Sequence, residues 1–409
     1  MNIVIVGCGV AGITAATIIR RVDSEATISI YTDENYLYYP RPDLYSVLSG
    51  KNLPERIIAL PREWYEKRNI KVYLNRKASR VDTAKHELTI DDGSKASYDK
   101  LLLANGAHPF LPPIKGTEKN GVFSLRSLED AVKIRRYAEK ARKAIIIGGG
   151  LLGLEFAVSL RKLGEEVDVV EIFPRLLPMQ LDQDGASVFQ TQIGALGINV
   201  VLGAKTVEII GEKLVSNILL DNGKTLSGDL VLFSAGVRCN TKLAEETGIK
   251  VEKGIVVDQY LKTSADDVYA AGDVAEFEGK TQGTILAAEQ QARIAATNMM
   301  GKEKSLYNAT MPSNTLSVEG LELTSMGLIT PQGSRYEEVK KINEEKGIYK
   351  KIVLDQGKIV GAIILGDLRS VPSIKRLMDL EIDVTKYKDF LLEDNFDFRE
   401  VLTAPTSSL

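Results

Sequence analysis

The chain has 409 residues, with 52 lysines and arginines against 55 aspartates and glutamates, a formal net charge of -3, and 44% hydrophobic residues. This length suggests about two or three domains, and the balanced charge argues against a general nucleic-acid-binding protein. The two cysteines, Cys8 and Cys239, form no Cys-x-x-Cys pair, so neither a disulfide framework nor a structural metal site is expected. No apolar run approaches the roughly 20 residues of a membrane span, and a cytoplasmic location is expected.

The first predicted unit is a strand, a glycine turn, a helix and a second strand. Residues 3–6 are apolar, Gly7-Cys-Gly-Val-Ala-Gly12 follows, and residues 26–31 are strand-like and precede Asp33 and Glu34. Two parallel strands need such a crossover. In this context the glycine turn and the helix N-terminus are suited to a pyrophosphate, and an acid after the second strand is suited to a ribose. The pattern predicts a dinucleotide site with Asp33 or Glu34 at the ribose.

The same pattern returns in the middle of the chain. Residues 144–147 are apolar, Gly148-Gly-Gly-Leu-Leu-Gly153 follows, and a second strand ends at Glu171. A carboxylate there accepts from the 2′-hydroxyl of NADH and repels the 2′-phosphate of NADPH, whereas the nearby Arg175 would favour NADPH. We expect NADH, with NADPH less favoured. Two dinucleotide sites fit one permanent redox cofactor and one exchangeable hydride donor, which indicates a flavoprotein.

Between and after these units the sequence predicts further elements. The turn at residues 91–93 separates strand-like runs 86–90 and 98–104, which predicts a hairpin. The prolines at 109, 112 and 113 favour a domain boundary. Strand-like residues 268–271 and a helix over 284–300 predict a return to the first domain.

The last part of the chain has a different pattern. Strands over 347–354 and 358–365 and a helix over 372–380 predict a closing α+β domain, and residues 403–409 are expected to form a loose tail.

Five motifs in order carry a resemblance to a known family. They are Gly7-Cys-Gly-Val-Ala-Gly12, Leu103-Ala-Asn-Gly-Ala107, Gly148-Gly-Gly-Leu-Leu-Gly153, Phe233-Ser-Ala-Gly-Val-Arg238 and Val268-Tyr-Ala-Ala-Gly-Asp273. With them the chain resembles, over nearly its whole length, the FAD-dependent pyridine nucleotide-disulfide oxidoreductase superfamily. Tyr39-Pro-Arg-Pro42, Leu125-Arg-Ser-Leu-Glu-Asp130 and the C-terminal domain most resemble its NADH:rubredoxin oxidoreductase and nitrite-reductase-flavoprotein branch.

The resemblance implies a fold and a set of domains. The expected fold class is α/β, with two Rossmann-like dinucleotide-binding domains, for FAD and NAD, and a small α+β C-terminal domain. The expected domains are 1–110 with 237–304 for FAD, 111–236 for NAD, and 305–409 at the C-terminus.

The resemblance also implies the binding residues. Those for FAD are Gly7, Gly9, Gly12, Asp33 or Glu34, Arg41, Ala78, Ala104, Gly106, Arg126 and Asp273. Among them Ala78 would offer its backbone to the adenine and Asp273 would bind the ribityl chain. The helix after Gln282 would direct its N-terminus at the flavin, where reduction leaves negative charge. Those for NADH are Gly148, Gly150, Gly153, Glu155, Glu171 and Gly236. No catalytic side chain and no metal ligand is expected.

The chain also departs from parts of this superfamily. The segment 39–46 contains no cysteine, so thiol-based reduction beside the flavin is not expected. Nitrite reductases continue into iron–sulfur and siroheme regions, so nitrite reduction by this chain alone is not expected either.

The leading functional hypothesis is an NADH-dependent flavoprotein that passes electrons to a small carrier such as rubredoxin or ferredoxin. The alternatives are a peroxide-forming NADH oxidase, a redox-sensing flavoprotein resembling apoptosis-inducing factor, and a subunit of a larger complex. The C-terminal domain would cover the flavin or form a homodimer contact.

Overall fold

The computed structural model describes residues 1–301 and 304–402, and these form two compact units. Unit 1 consists of Met1–Phe110, Ser124–Arg136 and Gly236–Thr310, and unit 2 of Leu111–Phe123, Tyr137–Ala235 and Met311–Leu409. The predicted tail, residues 403–409, lies outside the described residues. The three-domain boundaries expected from the sequence stay a prediction.

The strands are short, and most of the buried ones are rich in β-branched residues, as strands generally are. In chain order they are β1 Asn2–Val6, β2 Thr27–Tyr31, β3 Ile70–Tyr73, β4 Ala78–Asp82, β5 Glu87–Ile90, β6 Lys95–Ser97, β7 Lys100–Leu103, β8 Ala107–Pro109, β9 Val122–Ser124, β10 Lys143–Ile147, β11 Glu166–Glu171, β12 Ile198–Leu202, β13 Thr206–Ile210, β14 Asn217–Leu220, β15 Thr225–Ser227, β16 Leu230–Phe233, β17 Val237–Cys239, β18 Ile255–Val257, β19 Val268–Ala270, β20 Ala275–Phe277, β21 Lys280–Thr281, β22 Ser313–Val318, β23 Leu321–Gly327, β24 Tyr336–Asn343, β25 Ile348–Asp355 and β26 Lys358–Leu365.

The α-helices include both helices that follow the glycine motifs. In chain order they are α1 Val10–Val22, α2 Leu44–Leu48, α3 Arg62–Glu66, α4 Leu128–Ala138, α5 Leu151–Lys162, α6 Gln183–Ala195, α7 Lys242–Glu245, α8 Ile285–Met299, α9 Val371–Asp379 and α10 Arg399–Leu402. Short 3-10 helices cover Arg41–Asp43, Pro54–Ile57, Leu368–Ser370 and Thr385–Tyr387.

Unit 1 is built on a five-stranded parallel sheet with the order β19-β7-β1-β2-β3. Its central strand β1 is buried over residues 3–6, as a parallel strand covered on both faces requires. Helices α1 and α8 pack against each other, and their buried positions are largely alanines, which let the two backbones approach closely. The predicted helix over 284–300 is confirmed as α8. The strands β8 and β17 pair antiparallel beside this sheet.

The predicted hairpin in unit 1 is confirmed as a turn but wrong in its second strand. Strand β5 pairs with β6, while the run predicted as its partner contributes β7 to the parallel sheet. Leu101, Leu102 and Leu103 in β7 are completely buried. An apolar run of this kind belongs in a central parallel strand and not in an exposed hairpin.

Unit 2 contains a second sheet of the same kind, with the order β12-β11-β10-β16-β9. Strands β10, β11, β12 and β16 are parallel, and α5 crosses from β10 to β11. The antiparallel meander β13-β14-β15 lies in the same unit. Two βαβ sheets, one in each unit, confirm the two Rossmann-like domains of the predicted fold class.

The C-terminal part of unit 2 is a five-stranded antiparallel sheet with the order β22-β23-β26-β25-β24. The predicted strand pair and the following helix are confirmed as β25, β26 and α9. Because side chains alternate along a strand, Tyr349 and Lys351 share one face of β25 with contacts to α6, while Lys350 and Ile352 point to the other. On that other face a core that includes Ile374 in α9 and Leu391 covers the sheet.

Candidate functional site

The first glycine motif combines two close backbone contacts with one open position. Gly7 has φ +108°, and a Cβ there would overlap the carbonyl oxygen of Ala104. A Cβ on Gly12 would overlap the carbonyl oxygen of Gly7, so this glycine lets α1 approach the strand. A Cβ on Gly9 would meet no atom within 4 Å, and Gly9 caps α1 without a side-chain hydrogen bond. The start of α1 thus has no side-chain cap and open space beside Gly9, an arrangement suited to an anion.

The second glycine motif repeats this geometry in unit 2. Gly148 has φ +118°, and a Cβ there would overlap the carbonyl oxygen of Ser234. A Cβ on Gly153 would overlap the carbonyl oxygen of Gly148, whereas Gly150 at the start of α5 is open within 4 Å. Each unit therefore contains a helix start of the same open geometry.

The two acids after β2 differ in their surroundings. Glu34 forms an ion pair with Arg41 and accepts a hydrogen bond from the hydroxyl of Tyr39. Asp33 is exposed. Of the two residues expected at a ribose, Asp33 is the accessible one, because protein partners already bind the Glu34 carboxylate.

Arg41 and Arg126, expected near one cofactor, are brought together by the fold. Arg41 Nη1 donates to the carbonyl oxygen of Arg126 at 2.7 Å and to the Tyr39 hydroxyl at 2.5 Å. Arg126 Nη2 lies 2.7 Å from Asp273 Oδ2. A Cβ on Gly106 would lie 3.4 Å from that same nitrogen, so Gly106 leaves room beside the pair.

Tyr39 also belongs to this site, although it was not among the expected binding residues. It is buried, and its hydroxyl accepts from the backbone N–H of Leu128, the first residue of α4, at 2.9 Å. Burial raises the pKa of Tyr39 above its ordinary value. The motif around residue 39 marked this segment, but no pattern in it indicates that the hydroxyl joins Glu34 and Arg41 to the start of α4.

Two further residues expected at FAD, Ala104 and Ala78, lie in unit 1, and so does Gly236, which was expected at NADH. Ala104 is buried and donates its N–H to Val6 at 2.8 Å, directly after β7. Ala78 is the first residue of β4 and pairs with Ile90. Gly236, at the start of the last segment of unit 1, has φ +94° and accepts from the N–H of Phe110 at 2.9 Å.

The side-chain amide of Asn105, beside Gly106, is incompletely satisfied. Its Nδ2 donates to the carbonyl oxygen of Asn240 at 2.8 Å, but its buried Oδ1 has no hydrogen-bond partner within residues 1–301 and 304–402. An unsatisfied buried acceptor calls for a donor that the described chain does not supply.

Glu171 in unit 2 is 5% exposed at the end of β11. Its carboxylate accepts from the N–H of Gly149 at 2.6 Å and from the N–H of Phe173 at 2.9 Å, so it is fixed against the second glycine turn. Arg175 donates instead to the carbonyl oxygens of Leu181 at 3.2 Å and Pro178 at 3.1 Å. The acid is presented beside the turn, and the cation is engaged elsewhere.

Glu155 lies in the second turn of α5. Burial raises the pKa of its carboxyl from 4.5 to about 7. Its charge therefore changes near neutral pH, which makes Glu155 sensitive to anything that covers it further.

Neither cysteine has the surroundings of a nucleophile. Burial raises the pKa of the Cys8 thiol to about 12, and its Sγ lies 4.0 Å from the hydroxyl of Tyr65. Burial also raises the pKa of Cys239, whose thiol donates to the carbonyl oxygen of Asp273 at 3.0 Å. In the described part of the chain, no cluster of three or more potential ligands is arranged for a metal, and no helix is long and apolar enough to cross a membrane.

Comparison with known proteins gives two family matches. The family described as "Pyridine nucleotide-disulphide oxidoreductase" matches residues 1–310, and the "Rubredoxin NAD+ reductase C-terminal domain" matches residues 312–382.

Individual relatives cover most of the chain. A nitrite reductase [NAD(P)H] of Bacillus subtilis is 35% identical over 94% of this chain and 48% of its own length. The NADH-rubredoxin oxidoreductase of Clostridium acetobutylicum is 32% identical over 92% of this chain and 94% of its own length. A ferredoxin reductase structure from Rhodopseudomonas palustris has a TM-score of 0.88 and 26% identity, covering 98% of this chain and 99% of that one. The chain spans about half the length of the first nitrite and nitrate reductase relatives.

Proposed function

Because the chain belongs to the pyridine nucleotide-disulphide oxidoreductase family, we propose that it takes hydride from NADH onto bound FAD and passes electrons to a small redox protein. The observation that carries the proposal is the pair of matches that together cover residues 1–310 and 312–382, the second named for rubredoxin reductases. Membership in the family implies FAD and NADH as the two dinucleotides. FAD supplies the step from two-electron hydride chemistry to single electrons.

In our proposal FAD lies in residues 1–110 and 237–304. The open position at Gly9 and the free start of α1 fit a diphosphate, and exposed Asp33 fits the adenosine ribose. The unsatisfied Asn105 Oδ1 fits a site where a bound group supplies a donor. Asp273 would bind the ribityl chain, and Arg126 holds its carboxylate in place. Glu34, in contrast, acts as an anchor for Arg41.

In our proposal NADH lies in residues 111–236, at the start of α5. Gly150 leaves open space for the diphosphate, and Glu171 accepts from the 2′-hydroxyl of the adenosine ribose. Two backbone N–H groups already orient the Glu171 carboxylate, so it is pre-positioned for that hydroxyl. Glu155 would lie near the nicotinamide.

We further propose how electrons leave the flavin and which proteins accept them. The raised thiol pKa values of Cys8 and Cys239 disfavour a thiolate, so we infer that electrons leave the flavin without a protein disulfide. Rubredoxin or ferredoxin is the proposed acceptor, since relatives named for each cover most of the chain.

The test is an anaerobic titration of the purified protein, followed by visible spectroscopy, with NADH and NADPH in parallel. We expect a flavin spectrum that NADH bleaches in preference to NADPH and that rubredoxin or ferredoxin restores. Rapid restoration by oxygen alone, with peroxide formed, would support an NADH oxidase instead. Slow restoration by every acceptor would support a redox sensor. A protein that cannot be reconstituted with FAD would refute the proposal.

A further inference from the structure

The N-terminus of α6 is fixed by the C-terminal sheet through one carboxylate. Asp182, the residue before α6, caps the helix by accepting from the N–H of Gly185 at 3.1 Å. Its other oxygen accepts from the hydroxyl of Tyr349 at 2.6 Å and from Nζ of Lys351 at 3.0 Å, both in β25. A helix cap of unit 2 is thus held from a strand far along the chain.

The groups around this carboxylate are acidic and basic side chains, of which Lys351 is buried, Asp182 half-buried, and Glu338 and Lys340 exposed. Lys351 is 2% exposed and also pairs with Glu338 at 2.8 Å, and Lys340 lies 3.4 Å from the same acid. Although burial disfavours the charged form, the hydrogen bonds from Tyr349, Gly185 and Lys351 hold the pKa of Asp182 below its ordinary value. We call Asp182, Glu338, Lys340, Tyr349 and Lys351 the Asp182 cluster. Removing Lys351, the buried cation of the cluster, leaves the half-buried Asp182 carboxylate without its ion pair at 3.0 Å, so Lys351 is the strongest restraint in the cluster.

A glycine allows α6 and β25 to pack closely where Asp182 meets Tyr349 and Lys351. A Cβ on Gly185 would lie 2.8 Å from the Tyr349 ring, so the glycine lets β25 approach the first turn of α6. Further along α6, Gln192 donates to the carbonyl oxygen of Gly347 at 3.0 Å. The helix is therefore attached to the sheet at both ends of its contact.

The residues before Asp182 connect this cluster to the proposed NADH site. Residues 172–181 form the loop between Glu171 and Asp182. Within it Arg175 donates to the carbonyl oxygens of Pro178 and Leu181. Leu181 is the direct neighbour of Asp182, so the carbonyl that holds Arg175 is one residue from the carboxylate that the C-terminal sheet holds.

We propose that the C-terminal domain sets dinucleotide specificity, because the Asp182 cluster keeps Leu181 where its carbonyl holds Arg175 away from the ribose 2′ position. This inference rests on the proposed use of NADH. A 2′-phosphate is bound by an arginine near that position. Without such an arginine, the Glu171 carboxylate repels the 2′-phosphate. Tyr349 and Lys351 are then positioning residues for specificity. Releasing the cluster weakens one of the two carbonyl contacts of Arg175, the one to Leu181, and leaves the contact to Pro178. The more mobile Arg175 then improves binding of the 2′-phosphorylated nucleotide.

The test measures dissociation constants of 5′-AMP and 2′,5′-ADP for the FAD-loaded full chain by calorimetry. In Lys351→Met we expect the preference for 5′-AMP over 2′,5′-ADP to fall about tenfold, the size of one charge-assisted contact. Tyr349→Phe removes one hydroxyl, and we expect a smaller change in the same direction. Because Tyr349→Phe conserves the ring, it also serves if Lys351→Met does not fold.

A matched control lies next to the tested lysine. Lys350 is 3% exposed on the other face of β25, where it pairs with Asp394 at 3.4 Å and Asp367 at 3.7 Å. We expect Lys350→Met to leave the preference unchanged. In an Arg175→Gln background, Lys351→Met should lose its effect.

Three results would overturn the inference: an unchanged preference in folded Lys351→Met and Tyr349→Phe, an equal change in Lys350→Met, or a change that persists in the Arg175→Gln background. A wild-type protein that binds the two nucleotides equally would refute the proposed NADH preference instead. The change in the 2′,5′-ADP to 5′-AMP preference between variant and wild type would still test the role of the Asp182 cluster.

Discussion

Replacing Glu155 by glutamine should remove a pH dependence from NADH binding. Burial raises the pKa of Glu155 from 4.5 to about 7, and a nicotinamide over α5 would bury it further and raise the pKa again. Binding then favours the protonated carboxyl, so affinity is highest below pH 7 and falls as the pH rises through the pKa of the free protein. If the bound pKa lies well above 8, the dissociation constant rises about tenfold between about pH 6 and about pH 8.

The assay uses the FAD-loaded protein and a tetrahydronicotinamide analogue of NADH, which cannot donate hydride, so that binding is measured without reduction. The wild type should show the tenfold change and Glu155→Gln a flat profile. Glu165→Gln is the matched control, because burial also raises the pKa of Glu165 to about 7, but Glu165 precedes β11, at the end of the sheet away from the glycine turn. A flat wild-type profile, or a profile that Glu165→Gln flattens, would refute the placement of Glu155 at the nicotinamide.

Three other substitutions probe the proposed sites. Tyr39→Phe leaves the buried N–H of Leu128 without its acceptor, which costs about 1–3 kcal/mol. FAD should therefore dissociate at least about fivefold more readily, as followed by flavin fluorescence after dilution, and unchanged retention would exclude this role. Glu171→Arg should reduce the preference for NADH over NADPH by about tenfold or more in anaerobic titrations, and an unaltered preference would refute the ribose assignment. Gly9→Val places a side chain in open space, so the apoprotein should keep its far-UV circular dichroism while FAD binding is lost. Gly12→Val, in contrast, should disrupt folding itself. Normal FAD binding by Gly9→Val would contradict the phosphate site.

The two glycine motifs were predictable because each glycine answers a local backbone requirement. A Cβ at Gly7 or Gly148 would overlap a carbonyl oxygen at the end of another strand, so only glycine fits these positions. A glycine turn between an apolar strand and an apolar helix is therefore a specific sequence pattern. The βαβ units follow from the same local pattern. For that reason the fold class could be predicted in both halves of the chain.

Other features depend on partners that the sequence does not place. The run at 98–104 has the length and composition of either a hairpin strand or a central strand. It becomes a central strand because the edge of β1 that β2 does not occupy is available for pairing, which the sequence does not show. Asp182 and Lys351 are 169 residues apart, and neither lies in a motif. The choice between Asp33 and Glu34 depended on whether Arg41 and Tyr39 turn back towards the second acid.

The strand order of unit 1 has a consequence for synthesis on the ribosome. Strands β1, β2, β3 and β7 are complete once residue 103 has emerged, but the edge strand β19 begins at residue 268 and α8, the partner of α1, at residue 285. The alanine-lined face of α1 therefore lacks its partner while the 182 residues from 104 to 285 are made. During that interval the nascent sheet has an open edge and an uncovered helix, which makes this stretch of translation the period in which chaperones would bind.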